Sequence, residues 1–336
     1  MGAVVLEYHH VSDKGPASTR ITPEAFVAHL DYLQQAGFNV VPLVELVDAL
    51  KAGQELPDKT VAITFDDAYA SVYLTAYPIL KKRNLPFTFF VNTDAVGTSP
   101  LFVSWSQLKE MQKNGVTIAN HTATHEHMVR QKEGETHKEW KARLTQDITR
   151  AQNTLIPHLG DAPKIFAYPF GEYNQTAKDV VGALGYIAFG QHSGVMSKAG
   201  DRLIIPRFPF GGSYTDLADF KTKVNSKPLP LNQVQWFDQH QTPLKDVVVK
   251  AGERPWLVLS LAKGVKAEGV RCFATGQGAI VTQNREGVIW TQANTAFKPG
   301  RMRYNCTAPS DELGRFYWFT QQWLVTDENG RWIHKD

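Results

Sequence analysis

Asp66 and Asp67 stand side by side after an apolar run, Val61-Ala62-Ile63-Thr64-Phe65, and two histidines follow in Asn120-His121-Thr122-Ala123-Thr124-His125. Asp is depleted in strands, and two neighbouring carboxylates repel each other; a divalent cation relieves that repulsion. His121 and His125 are four residues apart, which predicts one shared face of a helical turn. One carboxylate and two imidazoles leave coordination positions open for water, as in hydrolytic zinc sites. The second carboxylate is then free to act as a base. Taken singly, an Asp-Asp pair reads equally well as a solvated turn, and His-x-x-x-His as a chance pair on an exposed helix. Each follows a strand-like run here, so both fall at strand carboxyl ends, where active sites gather in parallel α/β architectures. The acidic strand end of phosphatase type needs one residue between the two Asp, and this chain has none.

The elements that must position these groups are legible as an alternation. Segments 60–65, 87–92, 116–120, 165–168 and 186–189 read as short buried strands. Between them, 23–36, 44–52, 69–83, 106–114, 138–155 and 176–184 carry helix patterns, the first with Thr22 as N-cap, Pro23 at its first position and Gly37 as its stop. This predicts a parallel sheet or barrel covered by helices. The pattern changes at the Pro-rich stretch 226–231, which reads as a stiff connector. Beyond it, about 100 residues of short strands separated by Gly, Asn or Pro turns predict a β-sandwich.

The 336 residues suit one large and one small domain. The net charge is +3, and the one basic run, Lys81-Lys82-Arg83, ends a predicted helix, where cations suit the dipole. Nucleic acid is therefore not an expected partner. No stretch of about 18 apolar residues marks a transmembrane helix. The chain opens almost directly into an apolar run at 4–8, so the expected location is periplasmic or secreted after loss of an export signal, with the cytoplasm as the alternative. For Cys272 and Cys306 two readings stand: free buried thiols, or a disulfide made in an oxidising compartment.

A third segment, Ala167-Tyr168-Pro169-Phe170-Gly171, completes a pattern with Thr64-Phe65-Asp66-Asp67 and His121-x-x-x-His125. Together these motifs resemble the polysaccharide deacetylases of carbohydrate esterase family 4, the NodB-homology group, over roughly residues 3–220. The resemblance implies an irregular (β/α)7-type barrel over 1–227, followed by the small all-β sandwich at 233–336. It implies that Asp67, His121 and His125 bind a metal, most often zinc, although such ligands also accept cobalt, nickel or iron. Asp66 is then the general base, and a backbone N–H near Phe170, in the Pro169-Phe170-Gly171 turn, helps to hold the oxyanion.

The opening segment Tyr8-His9-His10-Val11 resembles the permuted poly-N-acetylglucosamine deacetylase branch, which implies His9 as the general acid. His10 and His192 are weaker candidates for that role, His192 also for lining the sugar site, and His127 fits a ligand position less well. Many members carry an Arg two residues before the Pro of the third motif; here that position is Ala167. A base without its cation has a higher pKa, and Arg207 is the candidate replacement. The late Leu-x-x-His motif is also absent, in keeping with the permuted order. Tyr69, Trp105 and Tyr173 are candidate sugar-facing aromatics, with core packing as the alternative.

Six of the eight tryptophans lie late in the chain: Trp236, Trp256, Trp290, Trp318, Trp323 and Trp332. They are read either as an aromatic sandwich core or as a carbohydrate-binding face. The expected function is metal-dependent removal of N-acetyl groups from β-linked N-acetylglucosamine polymers or oligomers. The alternatives are an O-acetyl esterase on xylan-like chains and a non-catalytic glycan-binding protein.

Overall fold

The computed structural model describes residues 2–333. Its first part is a curled sheet in which Gly2–Tyr8, Thr60–Phe65, Thr88–Val91, Thr117–Asn120, Ile165–Ala167 and Ile187–Phe189 lie side by side in that order, all parallel. Helices cover it, as the alternation predicts. The long helix His137–Leu159 opens on a capping box between Thr136 and Glu139. Helix Pro23–Gln35 has the Thr22 cap, its hydroxyl accepting from the Ala25 amide at 3.2 Å. Met196–Ser197 joins the first strand antiparallel and Phe208–Pro209 joins it parallel, while Ile205 bridges Phe189. Segment 205–209 thus connects the two edges of the curl and carries Arg207 between them.

The helix expected over 69–83 forms over 70–82, with a π turn inside it. Tyr69 bridges Phe102, a wide π turn spans Val72–Ala76, and the α-helix is Tyr77–Lys82. Pro78, which has no N–H to donate, falls inside this helical run just after the π turn, where the Tyr77 amide donates to the Val72 carbonyl.

The later part is built from two sheets. One orders Lys227–Pro228, Phe316–Thr326, Gly300–Pro309, Arg271–Ala274 and Gly278–Ala279, with Val248–Lys250 on the far end of Phe316–Thr326. The other orders Leu231–Phe237, Trp256–Leu261, Val288–Gln292 and Val281–Arg285. Leu257, Leu259 and Ile289 of one meet Tyr304, Cys306 and Trp323 of the other in a buried cluster. The stretch read as a stiff connector is tied into a sheet: Lys227–Pro228 pairs in parallel with Tyr317–Trp318. The same cluster also takes in Phe166, Tyr168 and Tyr173 of the first part, so the two parts share one core. Among the described residues, no helix is long and apolar enough to cross a membrane.

Cys272 and Cys306 are bonded, directly opposite each other on paired strands. The bond closes a loop over a separation of 34 residues, which constrains the unfolded chain by about 3–4 kcal/mol. Replacing both with Ala is expected to lower the denaturant midpoint accordingly. Equal midpoints for the oxidised protein and the double variant would contradict this.

The late tryptophans divide by environment. Trp323 and Trp332 are buried. Trp236 donates to Gln321 Oε1 at 2.8 Å, and Trp318 packs edge-on against Phe208. Trp290 lies outside the shared core, stacked on Phe237 and covered by the Arg285 guanidinium at 4.5 Å.

Candidate metal centre and active site

Three strand ends bring the site together. The run Thr60–Phe65 is wholly buried, and the chain then turns sharply through left-handed conformations at Asp67 (φ 78°) and Ala68 (φ 57°). That left-handed turn separates the two carboxylates. Asp66 turns into the interior, and Asp67 faces the histidines.

Asp67 Oδ1 stands 3.1 Å from His121 Nε2 and 3.0 Å from His125 Nε2. The predicted helical turn for His121 and His125 is absent. Residues 121–128 form a loop, with Thr122 and His125 at positive φ. Local side-chain bonds displace the helix here: Asn120 Oδ1 accepts from the Thr122 amide and Thr122 Oγ1 accepts from the His125 amide, both at 2.9 Å. The loop still brings the two imidazoles together, with ring centroids 4.9 Å apart.

These residues fit a divalent cation. His121 Nδ1 donates to the Ala167 carbonyl at 2.8 Å; a carbonyl can only accept, so in the neutral form of His121 the lone pair of Nε2 is the one aimed at Asp67. His125 Nε2 is buried and makes no hydrogen bond. Lone pairs converging on a carboxylate oxygen call for a cation between them, and the donor atoms of a tetrahedral zinc stand about 3.3 Å apart. Burial pushes the Asp67 carboxyl up, but the two histidines outweigh it and hold it well below the usual range. For His121 burial acts downward, and Asp67 with Asp66 outweighs it, leaving the imidazole raised.

Asp66 forms a two-pronged pair with Arg207, at 2.8 and 2.7 Å. Arg207 is fully buried and also donates to the Gly190 carbonyl at 2.9 Å and to Thr64 Oγ1 at 3.2 Å. The cation missing at Ala167 is thus supplied by the segment that closes the curl. Burial alone raises the Asp66 carboxyl, but Arg207 and His121 bring it below its ordinary value, so it is ionised at neutral pH.

His9 Nε2 lies 3.7 Å from Glu7 Oε1 and 3.9 Å from Asp67 Oδ2. Burial lowers its pKa, only partly countered by Asp67 and Asp66. Sequence reasoning missed Glu7. It is 1% exposed, neither oxygen has a hydrogen bond, and Arg207 stands 3.4 Å away. Burial raises its pKa well above the ordinary value; Asp66 adds to this and Arg207 opposes it. The signal was a lone acid within the otherwise apolar strand Gly2–Tyr8.

The remaining candidates separate into near and far. Pro169–Gly171 forms a tight 3-10 turn with Phe170 at φ 58°. The Phe170 ring packs edge-on to His125 at 4.5 Å and stacks on His127 at 4.0 Å. His127 bonds Glu172, a fully buried carboxylate that sequence reasoning also missed, at 2.8 Å. Tyr69 stays at the site: burial and the Asp67 carboxylate push its hydroxyl up to about 12. His10 stacks on Tyr69 at 3.6 Å and lies near Ser71. His192 and Tyr173 face away from the histidine cluster, into a cavity of about 680 Å³ between the two parts. The His192 carbonyl accepts from the Arg207 amide at 3.1 Å. Trp105 stacks on His158 at the start of its helix.

A family model described as polysaccharide deacetylase matches residues 53–189. The putative polysaccharide deacetylase YxkH of Bacillus subtilis is 28% identical over 184 residues, covering 54% of this chain and 61% of that protein. The poly-beta-1,6-N-acetyl-D-glucosamine N-deacetylase of Escherichia coli is 25% identical over 243 residues, 61% of this chain. This chain spans only 36% of that relative's length. The solved structure of IcaB from Ammonifex degensii is 30% identical with a TM-score of 0.57, covering 66% of this chain and 95% of that one. With the parallel curl, the Asp67–His121–His125 cluster and these likenesses together, the chain belongs to the polysaccharide deacetylase family.

Proposed function

We propose that the protein is a metal-dependent N-deacetylase of β-linked N-acetylglucosamine polymers or oligomers. The observation that carries this is the convergence of Asp67, His121 and His125 beside the separately held carboxylate of Asp66. Relatives that bear the poly-beta-1,6-N-acetyl-D-glucosamine N-deacetylase name support the substrate class. Asp67, His121 and His125 hold the ion, zinc being the first expectation for this donor set. When bound, the ion supplies Lewis acidity, making water a stronger acid and polarising a carbonyl.

The chain's own residues do the rest. Asp66, kept ionised and fixed by Arg207, takes the proton of the attacking water. The Phe170 amide donates to the oxyanion that forms on the acetamide oxygen. His9, in its protonated form, delivers a proton from Nε2 to the departing amine. The catalytic domain is residues 1–227, and 233–336 is a β-sandwich accessory domain. The Cys272–Cys306 bond supports a periplasmic or secreted location.

The test is acetate release by the zinc-loaded protein from N-acetylglucosamine oligomers and from acetylated xylan, side by side. Release from the amide substrate supports the reading. Release from xylan alone would make the protein an O-acetyl esterase.

A further inference from the structure

The accessory domain places side chains on the turn that carries Phe170. From strand Gly300–Pro309, Arg301 donates through an Nη1 hydrogen to the Phe170 carbonyl at 2.9 Å. From the neighbouring strand Phe316–Thr326, Gln322 donates through Nε2 to the Gly171 carbonyl at 3.0 Å. Gln322 is fully buried, and the Arg301 guanidinium also approaches the Phe170 ring and Glu172, at 5.9 and 3.8 Å. Two consecutive carbonyls of one turn are therefore gripped by a part of the chain more than a hundred residues away.

The turn requires such a grip. Phe170 holds φ 58°, unfavourable for a residue with a β-carbon. Gly171 has φ 65°, and a β-carbon there would overlap Gln191, so glycine is the residue that fits. Each amide of the turn that bonds locally does so within it, Gly171 to Tyr168 and Glu172 to Pro169. The turn's outward carbonyls depend on Arg301 and Gln322. Both donors lie outside the region matched by the family model, which ends at residue 189.

We infer that Arg301 and Gln322 are positioning residues, by which the accessory domain fixes the Phe170–Gly171 turn and thereby the oxyanion-holding amide. The inference rests on the deacetylase reading for its catalytic consequence. Its geometric content stands without it.

The experiment uses the full chain with Arg301→Ala, Gln322→Glu and Arg301→Lys. Gln322→Glu keeps the shape but turns an oxygen onto the Gly171 carbonyl, removing the donor. Hydrogen–deuterium exchange of the peptide covering 165–175, zinc affinity by calorimetry, and steady-state kinetics are read together. The expected result for Arg301→Ala and Gln322→Glu is at least tenfold faster exchange in that peptide, with exchange elsewhere and zinc affinity as in the parent. With it, kcat falls by about ten- to a hundredfold at little change in KM. Arg301→Lys, which retains one donor, recovers part of both effects. Unchanged exchange in 165–175 would overturn the inference, as would a lowered zinc affinity accounting for all the lost activity. If Gln322→Glu loosens the whole fold, the Arg301 variants decide. A parent that releases no acetate would sink the deacetylase reading, while the exchange data would still judge the grip.

Discussion

Asp66→Asn is expected to lower acetate release by about a thousandfold while leaving zinc binding intact. The magnitude follows from removing a general base from a reaction whose nucleophile still has to lose a proton. The substitution keeps the side chain's shape and leaves Asp67, His121 and His125 untouched. It also removes the anion that Arg207 grips with two nitrogens, so some stability is lost with it. Two measurements separate these effects: zinc affinity by calorimetry and a denaturant melt of the variant. A folded variant that binds zinc like the parent and retains more than a tenth of its rate would remove Asp66 from the base role.

Arg207→Met is expected to be the most damaging substitution for stability, by about 3–5 kcal/mol. Arg207 is fully buried, and its partners Asp66 and Glu7 are each about as deep. Removing it strands one ionised carboxylate beside a second acid whose oxygens already lack hydrogen bonds. It also abandons the Gly190 carbonyl and Thr64. The chain's response is to protonate Asp66, which costs the base as well as the pair. Lys does not substitute, because a single ammonium cannot span both carboxylate oxygens and reach Gly190. Urea unfolding monitored by tryptophan fluorescence measures the loss. A midpoint equal to the parent's would mean that the buried pair adds nothing and that the reading of this cluster is wrong.

Much of this site was legible in the sequence because the signals were local. The helix–strand alternation before residue 220 predicts a parallel sheet, and the apolar run ending in Asp66-Asp67 then falls at a strand carboxyl end. The His121–His125 spacing was informative about proximity but misleading about conformation. Helical periodicity and a looped ligand segment share that spacing, and the Asn120 and Thr122 side chains decided between them. Arg207 could be suspected as a replacement for the cation absent at Ala167, yet its contact with Asp66 spans 141 residues and no local pattern encodes it. Glu7 was visible only as an oddity, one acid in a strand buried on both faces. The hold of Arg301 and Gln322 on the Phe170–Gly171 turn was beyond reach, because it depends on how two sheets dock onto a curl through a shared core.

The most direct test of the central claim is acetate release from β-1,6-linked N-acetylglucosamine oligomers by the intact chain, first stripped of metal with a chelator and then titrated with zinc. The expected result is negligible release from the stripped protein and recovery that saturates at one zinc per chain. Full release from metal-free protein, or zinc binding at that stoichiometry with no release from any N-acetylated oligomer, would contradict it.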